Sequence, residues 1–110
     1  MRSLVIDELT PADMEKLAGH LEATLEVSGL PDVFWLPVPE ELLTPTQREH
    51  ADCGPHRVAV VLELDGLRLE LLVRASQSLR CACTDYADDG QRKWLIGYLD
   101  GLIEQLELRT

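Results

Sequence analysis

The chain has 110 residues, 45% hydrophobic and 27% charged, which fits one folded domain around one core and excludes the composition of a disordered chain. Twenty acidic residues against ten basic ones give a formal charge of −10, a field that repels phosphate backbones and anionic lipid, so nucleic acid and membrane surfaces are not expected partners. The three cysteines, Cys53, Cys81 and Cys83, are an odd set, and no apolar run reaches the roughly 18 residues that span a bilayer, so reduced thiols in the cytoplasm are expected.

The N-terminus turns acidic at Asp7 and Glu8 instead of leading into a signal-peptide core. Before that turn, Leu4-Val5-Ile6 is too short for its period to separate strand from helix. Thr10-Pro11-Ala12-Asp13 then predicts a helix from Pro11 to about Val27: a capping hydroxyl, a proline at the first helical position, and a carboxylate at the positive end of the dipole. Met14, Leu17, Ala18, Leu21 and Leu25 form its apolar stripe, and Ser28-Gly29 stops it. Three prolines between Leu30 and Leu43 exclude a continuous helix and predict an extended apolar strap carrying Phe34 and Trp35. Thr44-Pro45-Thr46-Gln47 repeats the capping pattern and predicts a short helix from Pro45 to about Asp52, ended by Gly54-Pro55.

Alternating residues from Val58 to Val73 flank Asp65-Gly66, the dipeptide of a two-residue hairpin turn with positive φ at both positions. That turn pairs Leu64 with Leu67, Glu63 with Arg68, Leu62 with Leu69, Val61 with Glu70, Val60 with Leu71, Ala59 with Leu72 and Val58 with Val73. One face is then wholly aliphatic, Leu64 included. The other is mixed: Ala59, Val61 and Leu72 ringed by Glu63, Arg68, Glu70 and Arg74. A third strand is expected over 79–84; a three-residue loop sets Ala75 opposite Leu79, Val73 opposite Cys81 and Leu71 opposite Cys83, with both cysteines on the core face, whereas a four-residue loop would put them on the other, and the first is preferred because it also buries Leu79. Asp88 and Gln91 form a second capping box that opens a helix reaching about Glu107, with Trp94, Leu95, Tyr98, Leu99, Leu102, Ile103 and Leu106 toward the sheet. Gly97 and Gly101, four apart in that helix, allow a close neighbour or are simply tolerated there. The expected fold is therefore α+β in two layers: a three-stranded antiparallel meander packed by an N-terminal and a long C-terminal helix, one domain over residues 1–110.

Two clusters hold five of the six Cys and His residues: His50, Cys53 and His56, and Cys81 with Cys83. Imidazole and thiolate together are the donor set of tetrahedral zinc. The predicted register sets a geometric obstacle, because Cys81 level with Val58 and two strands away stands roughly 10 Å off. The structural alternative is core thiols and surface histidines. Cys53 with His50 or His56 as base would also suit a nucleophile, since a spacing of three shares one helix face. The adjacent carboxylates Asp7-Glu8, Glu40-Glu41 and Asp88-Asp89 read as solvated charge and caps. No phosphate loop or serine nucleophile motif is present.

In the absence of a complete catalytic set, the leading expectation is a non-enzymatic, self-associating interaction module without a cofactor. Its surface would be Phe34, Trp35, Val61, Leu72, Arg68 and Glu70, and its partner a second copy or another protein. The alternative is a zinc protein using His50, Cys53, His56, Cys81 and Cys83. No specific residues tie the chain to a known family. In element order and acidity alone it resembles the small acidic secretion chaperones, without the second hairpin they require.

Overall fold

The aliphatic alternation around Asp65-Gly66 does build the centre of an antiparallel sheet. The computed structural model describes residues 1–78 and 80–110. Among them the order is β1 (Ser3–Ile6), α1 (Pro11–Thr24), β2 (Glu26–Val27), β3 (Val33–Pro37), α2 (Pro45–Glu49), β4 (His56–Leu62), β5 (Leu67–Glu70), β6 (Leu72–Ala75), β7 (Asp85–Tyr86) and α3 (Asp89–Gln105). Short 3-10 turns occupy Glu40–Leu42 and Ala51–Cys53. The strands lie side by side as β1-β5-β4-β3-β2, while β6 continues β5 along β4 and carries β7 on its outer side. No described helix is long and apolar enough to cross a membrane.

All three helix starts follow their local chemistry. Thr10 accepts from the Asp13 N–H, and Thr44 with Gln47 and Asp88 with Gln91 each complete a reciprocal capping box. The first helix is shorter than its stripe suggests. It stops at Thr24, and Glu26-Val27 turn extended to pair with Trp35 and Phe34. Leu4-Val5-Ile6 resolves as strand, held by β5.

The hairpin differs from its predicted register near the turn. Val60 pairs with Leu69, Val61 with Arg68 and Leu62 with Leu67, two residues off the predicted partners, so Glu63 to Gly66 form a four-residue loop. The Glu63 N–H donates to the Gly66 carbonyl, and Gly66 does not take a positive φ. Gly66 is needed for another reason: a Cβ there would strike the Ile6 carbonyl oxygen, because β1 runs against the loop. Further along, Arg57 pairs with Arg74 and His56 with Ala75, the spacing of the predicted register. Val58 and Ala59 therefore lie opposite four residues, Glu70 to Val73, and a bulge centred on Leu71 absorbs the two-residue difference. The bulge serves two neighbours, since the Leu71 N–H donates to Arg2 and its carbonyl accepts from Ala87.

A shift of two keeps every side chain on its predicted face. Val58, Val60, Leu67, Leu69, Leu71 and Val73 join Phe34 and Leu36 on the core side, under Leu17 and Leu21 of α1 and Leu95, Leu99 and Leu102 of α3. Leu64 is the exception: expected on the core face, it sits at the loop tip, 98% exposed. The third strand is also displaced. Leu72 pairs with Tyr86 and Val73 with Asp85, so Cys81 to Thr84 form a turn, closed by the Thr84 N–H donating to the Cys81 carbonyl. The expected partner of Ala75, Leu79, lies outside the described residues. Gly97 and Gly101 face open space, with no close neighbour among the described residues.

Candidate metal centre

The turn that replaces the third strand brings the two Cys/His clusters together. His50 ends α2 and Cys53 closes the following 3-10 turn, whose Cys53 N–H donates to the His50 carbonyl at 2.9 Å. The three-residue spacing puts both side chains on one side. The chain leaving β6 runs back against this segment: Gln77 N–H donates to the Cys53 carbonyl at 2.8 Å, and Ser76 N–H to the Pro55 carbonyl at 3.3 Å. Cys81 and Cys83 come from the Cys81–Thr84 turn, 28 or more residues further along the sequence than Cys53. One donor atom from each of His50, Cys53, Cys81 and Cys83 lies within 4.8 Å of all the others. The predicted 10 Å obstacle is gone because neither downstream cysteine is on a strand.

The Cys81 sulfur is the hub. It accepts from the Cys53 thiol at 3.5 Å, from the Cys83 thiol at 2.8 Å and from the Cys83 N–H at 3.4 Å, and His50 Nδ1 stands 3.1 Å away. All three thiols are free. The Cys83 thiol and backbone N–H donors hold the Cys81 thiol below its ordinary value. Burial, reinforced by the Cys81 sulfur, pushes the Cys83 thiol up to about 12. Cys53 is raised as well, chiefly because its proton is engaged with Cys81 and then by burial. A raised thiol whose hydrogen bond goes to another sulfur is the opposite of an activated nucleophile.

The geometry suits a metal ion. Donor atoms bound at about 2.3 Å on tetrahedral corners stand about 3.7 Å apart, within the range from the 2.8 Å sulfur contact to the 4.8 Å span. The four residues can hold a divalent cation with small side-chain adjustments.

His56 is not part of the set. Sequence spacing grouped it with His50 and Cys53, but the chain has by then entered β4, where His56 pairs with Ala75 and points inward at 3% exposure. Burial, aided by nearby His50, lowers its affinity for a proton, and its Nε2 has no hydrogen-bond partner among the described residues.

Behind the cluster lies a polar relay built from the two capping boxes. Gln47 is 1% exposed, and its Oε1 accepts from the Thr44 N–H at 3.0 Å and from Gln91 Nε2 at 2.9 Å. Its Nε2 donates to the Cys83 carbonyl at 3.3 Å. Gln91 Nε2 also donates to the Leu42 carbonyl at 3.0 Å. Two residues read locally as caps thus tie α2 and α3 to the cysteine turn, the kind of outer-shell support that fixes metal ligands. Their burial has no local sequence signal.

The expected interaction surface divides. Trp35, Val61, Arg68 and Glu70 line a shallow groove on the sheet face away from the helices, and Leu72 alternates onto that side of β6. Phe34 is 4% exposed and belongs to the core on the other face.

No family model, curated protein or solved structure matches the chain.

Proposed function

We propose that the chain is a zinc-binding protein in which His50 Nδ1 and the thiolates of Cys53, Cys81 and Cys83 hold one Zn2+ as a closed structural centre. The supporting observation is the convergence of these four donor atoms within 4.8 Å from two segments far apart in sequence. Three soft thiolates and an imidazole select zinc over the hard cations, which take oxygen ligands. Four protein ligands leave no open coordination position, so the centre fastens chain and does not activate water.

What it fastens is two turns that lie outside the sheet. The 3-10 turn at Ala51–Cys53 and the 80–84 turn contribute no strand to the sheet, and a metal there links them more strongly than thiol hydrogen bonds. Binding to the folded state alone adds stability that grows with free zinc, about 4 kcal/mol at a thousand times the dissociation constant.

Elemental analysis of protein expressed without a histidine tag tests the reading. One zinc per chain is expected, lost in Cys81→Ser and retained in His56→Gln. A folded, metal-free protein whose melting temperature ignores added zinc would sink it.

A further inference from the structure

Among the described residues the long helices cover the sheet on one side only. Both long helices lie on the core face, and the opposite face presents Val33, Trp35, Val61 and Val5, with Leu30 at its end. Val5 and Leu30 are 59% and 66% exposed.

The charge on this face separates it from the rest of the molecule. Its ion pairs join Arg57 to Glu26, Arg68 to Glu63 and Glu70, and Arg74 to Glu70. Three arginines balance three glutamates, so these ion pairs add no net charge to the face, while the chain carries −10. Two copies meeting elsewhere would press like charge on like charge, a penalty this face avoids. The layout is also self-complementary. On one side of β4 stands the column of Val33 and Trp35, with the Arg57 guanidinium 4.2 Å from the Trp35 ring centre. On the other stands the ionic column of Arg68, Glu70 and Arg74. A two-fold axis along β4, in the plane of contact, lays each aromatic column over the partner's arginines, a favourable cation–π arrangement, and stacks Val61 near Val61.

We propose that this face is the contact between two copies of the chain, packed sheet on sheet as an isologous dimer. The contact does not use the cysteine cluster, so it stands or falls apart from the zinc reading.

Sedimentation equilibrium of the full chain, with and without a chelator, tests it. A species of twice 12.3 kDa is expected in the micromolar range under both conditions. Val61→Arg opposes like charges across the axis and should weaken dimerisation by about 100-fold or more. Val5→Glu changes a side chain already largely in water, should leave the fold standing, and sets a carboxylate toward the partner's β2 strand, whose outward side chain is Glu26, so it should weaken the dimer in the same direction. Leu64→Asp, exposed but off this face, should leave it unchanged. A monomer at about 100 μM, well above the micromolar range, overturns the proposal. So does a dimer indifferent to both charged variants, or one that chelation dissolves while the fold persists, which would assign the contact to the metal ligands.

Discussion

Replacing Gln47 by Met keeps an unbranched, helix-compatible side chain of similar volume and removes only the amide. Three groups then lose a partner: the Thr44 N–H, one N–H of Gln91 and the Cys83 carbonyl. Thr44 is half-exposed and recovers water, while the other two lie in a buried environment at about 1–3 kcal/mol each. The metal-free protein should lose about 3 kcal/mol, a fall in melting temperature of roughly 12 °C for a domain this size. Because Gln47 supports the carbonyl of a ligand residue, zinc affinity should also fall 10- to 100-fold, about the effect of losing an outer-shell partner. Thermal melts followed by circular dichroism in chelator give the first quantity, and competition against a chromophoric chelator gives the second. Gln91→Met is the control, since it breaks the bonds to Leu42 and Gln47 but leaves the Cys83 contact in place, so it should cost stability with a smaller change in affinity. If Gln47→Met destabilises the fold but leaves zinc affinity within about two-fold, the relay is core structure only and the outer-shell assignment fails.

Three further outcomes follow from the packing. Leu64→Asp should change stability by no more than about 0.5 kcal/mol, as for a surface site, whereas a two-residue turn at Asp65-Gly66 would bury Leu64 and make the same change severe; a denaturant melt separates these. Gly66→Ala drives a methyl into the Ile6 carbonyl and should cost about 2 kcal/mol, with faster amide exchange in β1 than elsewhere. Tyr98→Phe removes a buried hydroxyl that has no hydrogen-bond partner among the described residues and should raise stability by about 1 kcal/mol. Burial also pushes the Tyr98 hydroxyl up to about 12, so its contribution is intact below the unfolded value near 10 and lost as pH climbs from there to about 12. In Tyr98→Phe that alkaline loss should shrink, which melts at pH 9 and pH 11 would detect.

Local chemistry was the legible part of the fold. Thr10, Thr44 and Asp88 mark the helix starts because a cap acts within three residues, and alternation assigns sheet faces because its period is two. The hairpin register was hidden for the same reason: a shift of two preserves every face, so burial patterning cannot detect it. What sets the register is distant, namely β1 against Gly66 and the double use of Leu71 by Arg2 and Ala87. The Asp65-Gly66 dipeptide points to a glycine needed for positive φ, whereas its actual constraint is a neighbouring backbone 60 positions earlier in the chain.

The donor set was visible as types but not as a place. His50, Cys53, Cys81 and Cys83 stood out as thiols and imidazole in two tight groups, yet a strand over 79–84 kept the groups apart. The turn at Cys81–Thr84 could not be read from composition alone, because Leu, Cys and Thr are ordinary strand residues. It is stabilised from outside, by the Gln47 amide on Cys83 and by the Thr84 hydroxyl accepting from the Ala75 N–H. His56 was grouped by spacing and lost to β4, where backbone pairing with Ala75 turns it inward.

X-ray absorption at the zinc edge of the purified, untagged protein addresses the centre most directly. The expected first shell is three sulfurs at about 2.3 Å and one nitrogen at about 2.0–2.1 Å, with no exchangeable oxygen. A shell of oxygen and nitrogen alone, or one that keeps all three sulfurs after Cys83→Ser, would contradict a centre built from His50, Cys53, Cys81 and Cys83.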